Sequence, residues 1–196
     1  QIVDYYQAIV KSGVCNSLTT NEVVVAIDPT SQVGLLDPLQ KTQQVCIGSP
    51  ATSVVLPSNV GTIQWQTATV GGAYGNMTGL TNATLPFGSI PTNVAGTLNY
   101  RAVVTSGVCP SINSEIVSVQ TDALTVAGSI SSTSALICNN SAAPTVSLTG
   151  NTGSTIRWQS STDGTTYNNF APSQTGTTIN SVVNNAAPGI SQVVTY

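Results

Sequence analysis

A ten-residue segment of this chain occurs twice, at a distance of 94 residues. Tyr6–Cys15 reads Tyr-Gln-Ala-Ile-Val-Lys-Ser-Gly-Val-Cys, and Tyr100–Cys109 reads Tyr-Arg-Ala-Val-Val-Thr-Ser-Gly-Val-Cys. We expect a third copy that breaks off at Tyr196. Recurrence at a fixed spacing indicates a modular array, in which each module folds on the same plan.

Other residues recur at spacings of 92 to 94 residues and divide the chain into modules. Cys46 recurs as Cys138, Trp65 as Trp158 and Asp28 as Asp122. We therefore predict a complete repeat at residues 30–122. Residues 1–29 are expected to be the C-terminal strands of a preceding repeat. Residues 123–196 are expected to be a following repeat that is truncated before its last hairpin.

The residue pattern inside each repeat predicts short β-strands rather than helices. In Thr62–Gln66 apolar and polar residues alternate, so Ile63 and Trp65 point to one face. Turn residues such as Asp163-Gly164 separate such segments, which is typical of hairpins. A repeat of about 93 residues is also near the roughly 100 residues of an immunoglobulin-like sandwich.

We therefore predict an all-β fold of tandem immunoglobulin-like β-sandwich domains arranged end to end. The expected positions are strand B near 52–57, strand C near 62–67, strand F near 98–105 and strand G near 115–120. The side chains expected to anchor the cores are Trp65, Trp158, Tyr6 and Tyr100.

The composition argues against several classes of partner and of chemistry. Only four of 196 residues are Lys or Arg, so the chain has no basic cluster for nucleic acid. No apolar run reaches 18 residues, so we expect no membrane insertion. Without His, neither a Ser or Cys nucleophile with its usual base nor a zinc site is expected. We predict no enzyme activity, no catalytic residues, no cofactor and no metal.

Asp28 and Asp122 occupy matching positions in the linkers between repeats. Calcium needs six to eight oxygen ligands, usually from several carboxylates, so one Asp in each linker favours a solvated turn residue. Three segments match the glycosylation sequon, at Asn76, Asn82 and Asn139. Neither pattern decides whether calcium or glycan is present.

Cys15, Cys46, Cys109 and Cys138 are candidate disulfide partners, because a chain of this composition is expected in an oxidising compartment. One alternative is a Cys46–Cys109 bond within the repeat. The other alternative is a set of bonds between neighbouring repeats, because Cys46 and Cys109 are expected at opposite ends of a sandwich. A disulfide requires Cα atoms within about 7 Å.

The order of Cys46-Ile-Gly48, Trp65-Gln66, Tyr100, Ser106–Cys109 and Ser114–Val119 resembles the Ig-like repeats of large secreted proteins of Bacteroidota. The resemblance covers the whole chain, but Asn140 replaces the glycine found at Gly48. It implies type IX secretion, a bacterial cell-surface location, and a role in cell adhesion or gliding motility. It also implies an export machinery or surface anchor as partner, and a glycan or surface ligand bound elsewhere in the protein.

The leading functional hypothesis is a structural stalk that projects a distal binding region and bears tension. The alternatives are a glycan- or protein-binding module and accessory repeats of a modular secreted enzyme. For the binding module, the loops at residues 71–75 and 76–89 are the expected site, because they differ most from the following repeat.

Overall fold

The computed structural model describes residues 2–133, 136, 144–154, 157–170 and 174–180. Within these ranges the chain is nearly all β, with several sheets of sandwich-like character. It divides into two compact units, Gln1–Asp122 and Ala123–Tyr196. Cys138, the Asn139 sequon and the expected third copy of the repeated segment lie outside the described residues.

The first unit contains fourteen strands and two short helical turns in its described residues. The strands are Ile2–Tyr6 (β1), Ile9–Val10 (β2), Leu18–Thr19 (β3), Val23–Ile27 (β4), Gln32–Val33 (β5), Thr42–Cys46 (β6), Val54–Val55 (β7), Asn59–Val60 (β8), Thr62–Thr69 (β9), Gly75–Asn76 (β10), Thr84–Leu85 (β11), Gly96–Thr105 (β12), Ile112–Asn113 (β13) and Val117–Asp122 (β14). The helical turns are Pro38–Lys41 (α1) and a 3₁₀ turn at Phe87–Ser89.

The sequence pattern did not predict α1, which lasts only one turn. It begins after Asp37, whose carboxylate accepts a hydrogen bond from the Leu39 amide at 2.9 Å. Pro38 occupies the first helical turn, where a missing amide hydrogen costs nothing. A turn this short has no room for the apolar periodicity by which longer helices are recognised.

The largest sheet has the strand order β10-β9-β12-β14-β6. Strands β9, β12 and β14 pair antiparallel, whereas β6 runs parallel to β14. The parallel register places Thr42 opposite Ser118 and Cys46 opposite Asp122. The strand that begins the sheet in sequence therefore lies beside the strand that ends it.

One face of this sheet forms the core of the first unit. Trp65 on β9 and Tyr100 on β12 are fully buried there, at 0% exposed. The antiparallel β7–β11 pair adds Val54 and Leu85 from the opposite side of the same core. The indole of Trp65 is also hydrogen-bonded, donating to the Asn82 carbonyl at 2.9 Å.

Residues 2–27, the first hairpin, repeat the pairing of the hairpin formed by β12, β13 and β14. Tyr6 lies opposite Val23, just as Tyr100 lies opposite Val117. The Ala8 amide donates to the Thr20 hydroxyl at 3.0 Å, and the Ala102 amide donates to the Ser114 hydroxyl at 2.8 Å. The two hairpins therefore share their register.

Tyr6 does not act as the core anchor that the sequence predicts. It is 57% exposed, and the apolar residues of β1 to β4 are exposed along both faces of the first hairpin. The reason is that Tyr100 is covered by residues of β7, β9 and β11, and no such strands cover Tyr6 among the described residues.

The second unit has a smaller core in its described part. Its strands are Ser129–Ser132 (β15), Thr145–Thr149 (β16), Gln159–Ser160 (β17), Asn168–Asn169 (β18) and Thr178–Asn180 (β19). They form a β15-β16-β19 sheet and a β17–β18 pair. Val146, Trp158 and Ile179 are buried together, with Trp158 7% exposed.

Strand pairings of the first unit recur in the second unit with matching residues. The matching pairs are Val54–Leu85 with Val146–Ile179, Gln66–Asn76 with Gln159–Asn169, and Val33–Asn59 with Val126–Thr152. The indole of Trp158 also donates to a backbone carbonyl, that of Gly176, at 2.7 Å. The 93-residue spacing in the sequence is therefore a recurrence of pairing geometry.

In the described ranges, no helix is long and apolar enough to cross a membrane.

Candidate functional site

The three described cysteines are free thiols, and the sheet separates two of them. Cys46 ends β6 beside Asp122, whereas Cys109 follows the far end of β12. The ten residues of β12 span about 30 Å at roughly 3.3 Å per residue. A disulfide tolerates about 7 Å between Cα atoms, so a Cys46–Cys109 bond is incompatible with this geometry. Bonds between neighbouring repeats stay a prediction.

One polar cluster of the first unit lies where the first hairpin meets the rest of the unit. One Asp28 carboxylate oxygen accepts from the Val108 amide at 3.2 Å, and the Asp28 carbonyl lies 3.6 Å from the Cys109 thiol. The Ser31 hydroxyl accepts from the Ser106 amide at 2.9 Å. The linker is thus hydrogen-bonded to the turn at residues 106–109.

Asp122 makes different contacts from Asp28, although the two residues match in sequence. Its two carboxylate oxygens accept from the side-chain amides of Gln44 at 2.6 Å and Gln120 at 2.7 Å. Its carbonyl accepts from the Ile47 amide at 2.9 Å. Asp122 therefore ties the end of β14 to β6. In the part of the chain that the structure describes, no three residues of the His, Cys, Asp and Glu types come together as a metal site.

A second polar group crosses the outer face of the main sheet. The Arg101 Nε donates to the Gln66 side-chain oxygen at 2.8 Å, and the Gln66 amide donates to Asn76 at 2.8 Å. The guanidinium carbon of Arg101 lies 4.0 Å from the centre of the Tyr74 ring, a cation–π contact. Alternation along β9 and β12 places Gln66 and Arg101 on this face. The contact with Tyr74 depends on the loop that follows β9, and no sequence signal predicted it.

One of the two loops expected to bind a ligand, residues 76–89, borders a shallow groove of about 660 Å³, whereas residues 71–75 do not line it. Asn59, the segment 61–64 and the segment 81–83 line it. The Gln64 side-chain amide already donates to the carbonyls of Trp65 and Met77, each at 2.8 Å. Asn76 and Asn82, the two described sequon residues, are exposed. The ligand-binding alternative stays a prediction.

Among the described residues, three ionisable groups have shifted pKa values, each with a clear cause. Hydrogen bonds from Lys41 and from the Leu36 amide lower the pKa of Glu115. Bonds from the Thr166 and Thr165 amides and from the Ser161 hydroxyl hold the pKa of Asp163 well below its usual range. Burial raises the pKa of Tyr100, against a smaller opposing effect of the Thr67 hydroxyl.

The two carboxylates act on the backbone around them. Glu115 joins α1 to the start of β14, with the Lys41 ammonium 2.9 Å from its carboxylate. Asp163 closes the turn between β17 and β18, and Ser161 accepts from the Gly164 amide in the same turn at 2.9 Å. What these groups do chemically is hold turns and strand ends, since each carboxylate accepts hydrogen bonds from within the chain.

Comparison with known proteins points to the same two-part organisation. A family model described as a domain of unknown function, DUF8696, matches residues 38–123 and also residues 126–188. No curated protein matches the sequence. Because the two matched segments together make up well over half of the chain, the chain belongs to the DUF8696 family.

Proposed function

We propose that these are tandem immunoglobulin-like stalk repeats of a long secreted cell-surface adhesin, which project a distal binding region and bear tension. The observation that carries the proposal is the parallel pairing of β6 with β14. These are the first and the last strands of the main sheet in sequence order.

Parallel pairing decides how the unit responds to a pulling force. Force applied through the chain on either side of residues 30–122 draws β6 and β14 in opposite directions along their length. The five residue pairs from Thr42–Ser118 to Cys46–Asp122 are then loaded in shear, all at once. An antiparallel pair pulled at adjacent ends would instead open one hydrogen bond at a time.

Further contacts reinforce the β6–β14 pair at the end that contains Cys46 and Asp122. Asp122 accepts from the Gln44 side chain and from the Ile47 amide, so β14 stays bonded to β6 beyond the last ladder pair. At the other end, Glu115 bonds to Lys41 and to the Leu36 amide. Both ends of the β6–β14 pair are therefore held by additional hydrogen bonds.

The recurrence of the fold plan supports a tandem array. Pairings of the first unit return in the second unit, and the first hairpin repeats the register of β12 and β14. The family model matches two successive segments. A stalk gains length by adding units of one design, each with its own core.

Single-molecule pulling of the full chain tests the mechanical claim. Handles attached at the exposed Leu39 and at Ala123 load β6 against β14 in shear. Handles at Ser49 and Ala123 pull on the adjacent C-terminal ends of the same two strands and peel them apart. We expect the first geometry to unfold the unit at a markedly higher force than the second geometry.

The two geometries break the same hydrogen bonds, so a difference in force reports direction alone. Equal unfolding forces in both geometries would remove the argument for tension bearing. Click-chemistry handles are needed, because the native cysteines would react with maleimide handles.

The cellular part of the proposal is a bacterial surface reached through type IX secretion, with a role in attachment or gliding. It is supported by the resemblance of the Cys46, Trp65 and Tyr100 motifs to Bacteroidota repeats. Brief proteolysis of intact cells of the source organism, followed by detection with an antibody against residues 30–122, tests it. Protection until the cells are lysed would refute a surface location.

A further inference from the structure

The Asp28–Ser31 linker contacts the turn Ser106–Cys109 at three points. The Asp28 carboxylate accepts from the Val108 amide, and the Ser31 hydroxyl accepts from the Ser106 amide. The Asp28 carbonyl lies against the Cys109 thiol. These contacts join the first hairpin to residues about 80 positions later in the chain.

Gly107 is shaped for this contact in a way that goes beyond the turn itself. Its φ of +49° favours glycine in any case. In addition, a β-carbon at Gly107 would overlap the Asp28 carboxylate, with Oδ1 at 2.8 Å as the most distant of the three carboxylate atoms. The Asp28 side chain therefore occupies the space that any other residue at position 107 would need.

The chain contains an internal comparison for this arrangement. The first hairpin has the same Ser-Gly-Val-Cys turn at residues 12–15, with Gly13 at a φ of +52°. Nothing lies within 4 Å of a β-carbon built on Gly13. The two turns therefore share sequence and backbone conformation, and within the described residues the linker contact is made at the second turn alone.

We propose that the Ser-Gly-Val-Cys turn is a receptor for an Asp-x-x-Ser segment, and that Asp28 and Ser31 form a latch on it. The latch fixes the first hairpin relative to the sheet of residues 30–122. The negatively charged Asp28 carboxylate accepts from the Val108 amide, and the Ser31 hydroxyl accepts from the Ser106 amide. Together they satisfy two backbone donors that would bond to water if the linker were absent.

The spacing of the two latch residues recurs at the matching linker position, although the Asp122 carboxylate there accepts from Gln44 and Gln120. Asp122 and Thr125 repeat the spacing of Asp28 and Ser31, and Thr retains the hydroxyl that accepts the hydrogen bond. The inference concerns the linker contact alone and does not depend on the stalk function. Failure of the pulling experiment would leave the latch in place.

The test compares Gly107→Ala with Gly13→Ala in the full chain. Both variants place alanine in the same left-handed turn, so their backbone strain is matched. Only Gly107→Ala displaces Asp28. We expect exchange of the Val108 amide hydrogen to rise about tenfold in Gly107→Ala, as loss of a hydrogen bond to a charged acceptor implies. Gly13→Ala should leave the Val108 amide at its wild-type rate.

Asp28→Ala and Ser31→Ala reach the same contact from the linker side, at positions that are only half-buried. In the Asp28→Ala background, Gly107→Ala should add no further increase in Val108 exchange, because the clash and the bond are both gone. Distances between spin labels at Val24 and Val70, placed by non-cysteine chemistry, should broaden in Asp28→Ala. Additive exchange effects, or an unchanged distance distribution, would overturn the latch.

Discussion

Single residues in this chain are exposed or buried according to whether a second layer of strands packs over them. Tyr6 and Tyr100 occupy the same place in two hairpins of the same register, but the first is 57% exposed and the second is fully buried. Register depends on local contacts, such as the hydroxyl of Thr20 or Ser114 bonded to the opposite strand. Burial depends on a second layer of strands.

The buried phenol of Tyr100 predicts a specific response to alkaline pH. Burial raises its pKa above the ordinary value of 10.0, so the unfolded chain ionises first as the pH rises. The stability that Tyr100 contributes is complete below pH 10 and falls above it. The melting temperature of Tyr100→Phe should therefore fall less than that of the wild type between pH 9 and pH 11. Thermal scans by circular dichroism measure this difference.

Tyr6→Phe is the matched control, because Tyr6 has the same position in the exposed hairpin. It should follow the wild type across the same pH range. Parallel losses in the wild type and in Tyr100→Phe would contradict the assignment of the alkaline effect to Tyr100.

The alternation of apolar and polar residues was sufficient to predict which side chains of β9 and β12 face the core. Ile63, Trp65 and Tyr100 are buried as the pattern implies. The same pattern was misleading for Tyr6, because alternation identifies a face without identifying what covers it. The contact of Asp28 with Val108 also could not be predicted from the sequence, because the two residues are about 80 positions apart in the chain.

Among the strands of the main sheet, β6 is the one that the residue pattern predicted least well. Its residues Thr-Gln-Gln-Val-Cys carry little apolar alternation, and its neighbour β14 is 70 or more positions away. Polar side chains hold this strand in place. Gln43 is 8% exposed, and its side-chain oxygen accepts from the Thr52 amide at 2.7 Å while its amide donates to the Thr52 carbonyl at 3.1 Å.

Replacing Gln43 should therefore weaken the attachment of β6. Gln43→Leu removes two partly buried hydrogen bonds to Thr52, each typically worth about 1 kcal/mol. Urea unfolding should show a loss of about 2 kcal/mol for the first unit. Gln44→Leu removes an exposed side chain from the same strand and should cost less. An equal or larger loss in Gln44→Leu would contradict this ranking.

The described residues of the chain form two cores, each with one tryptophan. Trp65 lies in the first unit and Trp158 in the second, and each indole donates to a backbone carbonyl of its own unit. The first core contains thirteen buried apolar residues and the second contains three among the described residues. The 93-residue period indicated two modules, but it could not indicate which side chains fill each core.

Single-tryptophan variants can report on each core separately. Trp65→Phe leaves the fluorescence of Trp158, and Trp158→Phe leaves that of Trp65. Because more apolar side chains are buried around Trp65 than around Trp158 among the described residues, we expect Trp65 to report the later urea midpoint and Trp158 the earlier one. Coincident midpoints in the two variants would mean that the units unfold as one cooperative body.

The parallel placement of β6 and β14 also has a consequence for how such a gene can lengthen. Residues 30–31 come in beside the turn at Ser106, while Asp122 goes out at the opposite end of the sheet, next to Cys46. An in-frame duplication of this segment would thus bring its own connections at both ends. Unequal recombination between copies could then change the length of the protein without redesigning any fold.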